Sequence, residues 1–186
     1  MEVLATFSFK KGFEIMKKKY PKELNEIYDA INNIEGKLMR TKESKEKTMP
    51  GKMLFSPKAM NRAILEDFLY RKDWKKPRIK LDRHGSFIEA DAVKNGVGVE
   101  VQFGKYAFLG WDIFGKMIIF SKQKHYKVGV EIVAMNSLQR EMSSGVGSFQ
   151  QIVNILKARG ESDIDIPVAV LGIGLKSTST RLTAWS

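Results

Sequence analysis

An α/β fold with a mixed central β-sheet flanked by helices is the class this sequence predicts, and two observations carry it. Residues 97–103, 128–134 and 167–173 are short, Val-rich runs with strand composition. Around them, residues 21–33, 56–74, 106–126 and 149–158 repeat apolar side chains at helical spacing. At 186 residues the chain is long enough to enclose one core, so a single domain spanning residues 1–186 is expected.

In chain order, Val3, Ala5, Phe7 and Phe9 suggest a short strand before Lys10-Lys11-Gly12. Lys17-Lys18-Lys19 is a charge run of the kind a solvated helix face carries. Pro21 suits a first helical turn, and Leu24, Ile27, Tyr28, Ile31 and Ile34 extend the apolar stripe of an amphipathic helix to about Asn33. Residues 40–52 hold Arg40, Lys42, Lys45, Lys47 and Lys52 against Glu43 and Glu46 and end near Pro50-Gly51. With so little apolar material this stretch reads as a loop, suited to neutralising phosphates. Ser56 and Pro57 read as N-cap and first residue of a helix ending near Trp74, itself expected to be a core anchor.

The densest basic stretch follows, with Arg71, Lys72, Lys75, Lys76, Arg78, Lys80 and Arg83 opposed only by Asp73 and Asp82. Residues 86–91 form a strand candidate, and Asn95-Gly96 signals a turn folding it back onto residues 97–103. Residues 106–126 read as one largely buried helix, too interrupted by Asp112, Lys116 and two glycines to span a membrane, with part of its surface available to a partner subunit. Residues 128–134 are a strand, 137–141 a helical turn, 149–158 a helix stopped by Gly160, and 167–173 a last strand. Gly172-Ile-Gly174 closes that strand and lacks the third glycine of a dinucleotide site. The Ser- and Thr-rich residues 176–186 read as a disordered tail or a DNA minor-groove arm.

A formal net charge of +11 and a pI near 9.7 favour a polyanionic partner, nucleic acid before membrane. The absence of cysteine excludes a disulfide framework, a thiolate nucleophile and a zinc-thiolate site. No signal pattern and no apolar run of about 18 residues is present, so a cytoplasmic protein is expected. His84 and His125 are given no role.

The chemistry concentrates in residues 91–103. Alternation places Val97, Val99, Val101 and Phe103 on one strand face and Glu100 and Gln102 on the other. A hairpin at Asn95-Gly96 brings Asp91 towards Glu100. Two carboxylates held close repel one another unless a cation lies between them, and Mg2+ suits such oxygen donors together with a phosphate.

The spacing Asp91-x8-Glu100-x-Gln102, running into Gly104-Lys105-Tyr106-Ala107-Phe108, resembles the catalytic segment of the BglII and BstYI group of type II restriction endonucleases. That group belongs to the PD-(D/E)xK nuclease fold, whose usual last member is Lys; Gln at this position is characteristic of the branch. Two further patches share the resemblance, which runs with gaps from about Arg40 to Gly172: residues 40–48 leading to Leu54-Phe-Ser-Pro57, and residues 128–132 followed by Glu141-Met-Ser-Ser-Gly145.

The resemblance implies a restriction-endonuclease-like α/β fold and a Mg2+-dependent enzyme using one or two ions. Asp91, Glu100 and the backbone carbonyl of Val101 are then the metal ligands. Gln102, which carries no charge, orients the attacking water by hydrogen bonding. Lys105, Ser143 and Ser144 are implied base readers, since Lys can donate to guanine O6 and N7 and Ser to a base edge. Arg40, Lys42, Lys45, Lys47, Lys76 and Arg78 are the expected contacts to the backbone of double-stranded DNA. A two-fold homodimer cutting a palindrome with a GATC core, such as RGATCY or AGATCT, to leave 5′ overhangs completes the expectation. Two other readings stand beside it: a repair or recombination nuclease of the same fold that recognises structure, and a DNA-binding protein without catalysis.

Overall fold

In the computed structural model the described residues are 1–82 and 84–176, with the backbone of 183–184. Arg83 of the basic stretch and most of the 176–186 tail lie outside them. A six-stranded mixed sheet forms the centre, in the order β10-β1-β9-β8-β7-β6. Its strands are β1 (Glu2–Phe9), β6 (Ala92–Lys94), β7 (Val97–Gln102), β8 (Val128–Ala134), β9 (Val168–Gly174) and β10 (Thr183–Ala184). β7, β8 and β9 run parallel, β6 and β1 pair antiparallel with β7 and β9, and β10 pairs parallel with β1.

Helices cover both faces, as buried parallel strands require. On one face α1 (Gly12–Lys19), α2 (Pro21–Asn32) and α3 (Pro57–Ile64) pack Met16, Ile27, Ile31, Met60 and Ile64 against Val97, Val99, Val101 and Ile132. On the other, α4 (Leu109–Trp111), α5 (Met117–Lys122) and α7 (Phe149–Arg159) pack Leu109, Met117, Phe120, Phe149 and Ile152 against Val133, Val168 and Val170. Each helix begins where its residues allow. Pro21 and Pro57 occupy first-turn positions, Ser56 accepts from Ala59 N–H, and Ser148 with Gln151 forms a capping box. A short α6 (Asn136–Gln139) follows β8.

Several boundaries differ from the sequence reading. The alternation of Val3 and Ala5 suggests a single face, yet Val3 packs with the α2 side and Ala5 with the α7 side, because a register shift between them turns the strand over. Residues 86–91 do not supply the hairpin partner of β7. β5 (Phe87–Glu89) pairs with β4 (Arg78–Lys80) in a separate ribbon, and Ala92–Lys94 is the strand that folds back, through Asn95 and Gly96 at φ 53° and 85°. Both positive φ values fit the tight hairpin turn that Asn-Gly favours.

The helix from Pro57 changes to a π turn over Leu65–Leu69 and a 3-10 turn over Tyr70–Lys72, stopping at left-handed Asp73 one residue before the buried Trp74. Residues 106–126 are likewise interrupted: a 3-10 turn (Tyr106–Phe108) precedes α4, and a π turn (Asp112–Lys116) precedes α5. Tyr106, Phe108 and Trp111 are 61%, 53% and 49% exposed, so the start of this segment lies open instead of buried. The basic stretch 40–52 is a loop closed by β2 (Lys42–Glu43) against β3 (Met53–Leu54). Within the 176–186 segment, the backbone of Thr183–Ala184 pairs with β1 as β10. Among the described residues no helix is long and apolar enough to cross a membrane.

Candidate active site

β7 is buried along its length, and its two faces carry different chemistry. Val97, Val99 and Val101 enter the α2 and α3 core, while Gly98, Glu100 and Gln102 turn to the segment containing α4 and α5. Gly98 is required there. A Cβ would fall 2.1 Å from the Tyr126 ring, which lies on the strand and sends its hydroxyl to Glu100 Oε1 at 2.7 Å.

Asp91 is opposite Glu100, because Ala92 pairs with Val99 in the hairpin. β6 is too short to cover β7 beyond that point, and Asp91 occupies the open edge. Its Oδ2 accepts from Val101 N–H at 2.8 Å, and its own N–H approaches Glu100 Oε2 at 3.4 Å. The Val101 carbonyl turns to the same edge, 3.5 Å from Asn61 Nδ2. Tyr70 O–H donates to the Asp91 carbonyl at 2.8 Å. Asp91 also lines a cleft of about 620 Å³ together with Lys58, Asn61, Arg62, Glu66, Tyr70 and Lys76.

The opposite side of Glu100 is closed by an ion cluster. Lys116 Nζ is 2.6 Å from Glu100 Oε2 and 2.8 Å from Asp112 Oδ1. Gln102 Nε2 donates to Asp112 Oδ2 at 2.9 Å, and Gln102 Oε1 accepts from Gly104 N–H at 2.8 Å. Glu131, the register partner of Glu100 on β8, is fully buried, and neither of its carboxyl oxygens has a hydrogen-bond partner among the described residues.

Burial, and then the charge of Asp91, push the Glu100 carboxyl up to about 8, against the pull of Lys116. Asp91 is also raised, by burial, with the Val101 N–H opposing. Burial alone would lower Lys116, but Glu100 and Asp112 outweigh it and hold the ammonium above its ordinary value. Glu131 lies well above the carboxylate range, through burial and then the charges of Asp112 and Glu100.

This set fits a hard divalent ion. Asp91 and Glu100 are neighbouring oxygen donors that burial and mutual repulsion disfavour as bare anions, and the buried Asn61 Oδ1 is a further oxygen without a partner among the described residues. Among the described residues no three His, Cys, Asp or Glu side chains are placed to hold a metal.

The remaining candidate residues lie on the basic loop, on the 141–146 turn with Lys105, and at Lys76 and Arg78, of which Lys76 lines the cleft. Lys105 is exposed, and its backbone bridges Val146 while Tyr106 N–H donates to Gly145 O at 2.7 Å. Ser143 Oγ accepts from Lys42 Nζ, and Ser144 N–H donates to Glu46 Oε1 at 2.8 Å. Arg40 pairs with Glu141, stacks 4.1 Å from the Phe55 ring centre and is only part-exposed, so it ties the basic loop to the 141–145 turn. Lys45 and Lys47 are exposed. Lys76 and Arg78 both pair with Glu89 across the β4–β5 ribbon, Lys76 at 2.5 Å. The basic loop, the 141–146 turn and the segment after β7 are therefore in contact.

Sequence reasoning missed Asn61, Asp112, Lys116, Tyr126 and Glu131. Asp112 and Lys116 did leave a signal, as a charged pair four residues apart in an otherwise apolar segment.

The sequence profile of the family described as restriction endonuclease BglII/BglIII matches residues 4–173. No curated protein matches the chain. A solved structure, the crystal structure of restriction endonuclease BglII complexed with a DNA 16-mer, superposes with a TM-score of 0.75 at 22% identity, over 94% of this chain and 79% of that one. That likeness shows the shared fold, including the mixed sheet and its flanking helices. With the profile spanning nearly the whole sequence, the chain belongs to the BglII/BglIII restriction endonuclease family and is a type II site-specific deoxyribonuclease.

Proposed function

We propose that this enzyme cuts both strands of a palindrome with a GATC core, such as RGATCY or AGATCT, leaving 5′ overhangs, with Mg2+ held by Asp91, Glu100 and the Val101 carbonyl. The observation that carries the reading is the open edge of β7, where Asp91 stands opposite Glu100 at a cleft that Lys58, Arg62 and Lys76 make basic. A phosphate entering that cleft meets positive side chains beside the Asp91 carboxylate, while Glu100, opposite Asp91 on β7, is fully buried. Mg2+, one ion or two, would neutralise the scissile phosphate and activate a water for in-line attack. Gln102 retains one amide hydrogen beyond its bond to Asp112, which suits it to orient that water.

Lys105, Ser143 and Ser144 serve as base readers, and the joined surface of residues 40–47 and 141–146 supports placing them in one groove. Lys42, Lys45, Lys47, Lys76 and Arg78 contact phosphates, and Arg40 reaches the backbone from its anchored position. Symmetric cutting of a palindrome calls for two active sites, and a homodimer supplies them. The exposed Phe108, Trp111 and Ile155 give that partner an apolar face to cover. We further take residues 1–186 as one nuclease domain acting in the cytoplasm.

Digestion of a sequenced plasmid with Mg2+, with every end mapped to the nucleotide, tests the proposal. Discrete fragments whose 5′-overhanging ends all lie in GATC-core palindromes are expected. Ends scattered over sequence, or set at branched or gapped DNA, would overturn it.

A further inference from the structure

Gln102 gives the catalytic strand no positive charge, yet Glu100 already has a cation. Lys116 Nζ sits 2.6 Å from Glu100 Oε2, in a side chain only 14% exposed, and Tyr126 O–H holds the other oxygen at 2.7 Å. Both oxygens of the carboxylate are thus engaged. Nor is Lys116 held by Glu100 alone: Asp112, one helical turn earlier, grips it at 2.8 Å. Asp112 is in turn aimed from β7, since Gln102 Nε2 donates to its second oxygen at 2.9 Å. Gln102, Asp112, Lys116 and Glu100 close a ring that starts and ends on the catalytic strand.

We propose that Lys116 is the resident cation of the carboxylate pair: it competes with the divalent metal for Glu100, and Asp112, positioned by Gln102, keeps the ammonium in the site when the metal takes that carboxylate. The inference rests on the metal-site reading above. Two cations at hydrogen-bond distance on one carboxylate repel each other, so each weakens the hold of the other by the same factor. Asp112 supplies the second anchor that keeps the displaced lysine from leaving. Gln102 is then a positioning residue as well as a group facing the substrate.

Calorimetric titration of Ca2+ into the full-length protein without DNA tests this, comparing wild type with Lys116→Gln, Lys116→Met, Lys116→Arg and Glu100→Gln. Loss of the competing charge in Lys116→Gln and Lys116→Met should tighten Ca2+ binding about tenfold, within the range usual for coupled sites. Lys116→Arg, which keeps the charge, should stay near wild type. Glu100→Gln should lose binding; if it binds as wild type does, the metal-site reading fails and the inference with it. If Glu100→Gln loses binding while folded Lys116→Gln binds no tighter than wild type, the metal site stands and the competition is overturned. Where the neutral variants fail to fold, the wild-type protein decides: the 15N resonance of Lys116 Nζ should shift as Ca2+ is added, and a resonance that stays fixed while Ca2+ binds overturns the proposal.

Discussion

Glu100 is a carboxyl that burial and its neighbour Asp91 both push towards the protonated form. It is fully buried, and burial with the Asp91 charge lifts its carboxyl to about 8 from an ordinary 4.5. Between those values the folded metal-free protein binds more protons than the unfolded chain, so its stability falls as pH rises across that window. Thermal unfolding in EDTA from about pH 5 to about pH 8 should show Tm falling more steeply for wild type than for Glu100→Gln, and parallel curves would count against the buried-carboxyl account. Lys105 makes a second prediction at this scale. Contact with a guanine edge is worth roughly 1–3 kcal/mol of discrimination, so Lys105→Ala should weaken binding to the cognate duplex about tenfold or more while scarcely changing a scrambled one. The check is a pair of titrations at one salt concentration with Ca2+ in place of Mg2+; equal losses would make Lys105 a phosphate contact. Asp91, Glu100 and Gln102 were legible in the sequence because one local hairpin brings them together. Asp112, Lys116, Tyr126 and Glu131 were not, since they reach the site from later elements whose charges read alone as interruptions or solvated positions.

At the scale of elements, the basic loop closed by β2 and β3 is the part whose task is most open to measurement. Lys42, Lys45 and Lys47 are exposed on it, and the loop is fastened to the 141–145 turn through Arg40–Glu141, Lys42–Ser143 and Glu46–Ser144. Replacing all three lysines by Gln should weaken binding to every duplex and flatten the slope of log K against log salt by about 0.9 for each phosphate the loop no longer neutralises. A slope unchanged across a salt series would return the loop to a solvated surface. Element types were legible wherever the period was regular: β8 begins and ends at the expected residues, and α7 stops at Gly160, whose φ is 72°. The π turns at Leu65–Leu69 and Asp112–Lys116 were not, because such turns are rare interruptions inside helices and both stretches read as continuous helical runs. The hairpin partner was misplaced for a related reason. Residues 86–94 are continuously strand-like, and only the tertiary pairing of Lys75 with Val93 and of β4 with β5 divides them.

For the whole molecule, the sheet sets the Asp91 and Glu100 carboxylates beside one open edge, and the charge of +11 favours the approach of DNA. The class of fold was visible in the order of strands and helices; which surface stays open was not, since Tyr106, Phe108 and Trp111 have the composition of a core. If that surface joins two subunits, Trp111→Glu should shift the mass measured by sedimentation equilibrium from about twice 21.2 kDa towards the monomer and slow double-strand cutting at low protein concentration. An unchanged dimer would place the interface elsewhere. If Asp91 and Glu100 hold the ion that cuts the DNA, the single-turnover rate on one cognate duplex with Mg2+ shows it, for wild type and Asp91→Asn, each first shown to bind that duplex in Ca2+. A loss of more than about a hundredfold in rate is expected, as removal of several kcal/mol of transition-state stabilisation requires, with specific binding largely kept. Cutting by Asp91→Asn at close to the wild-type rate would contradict it.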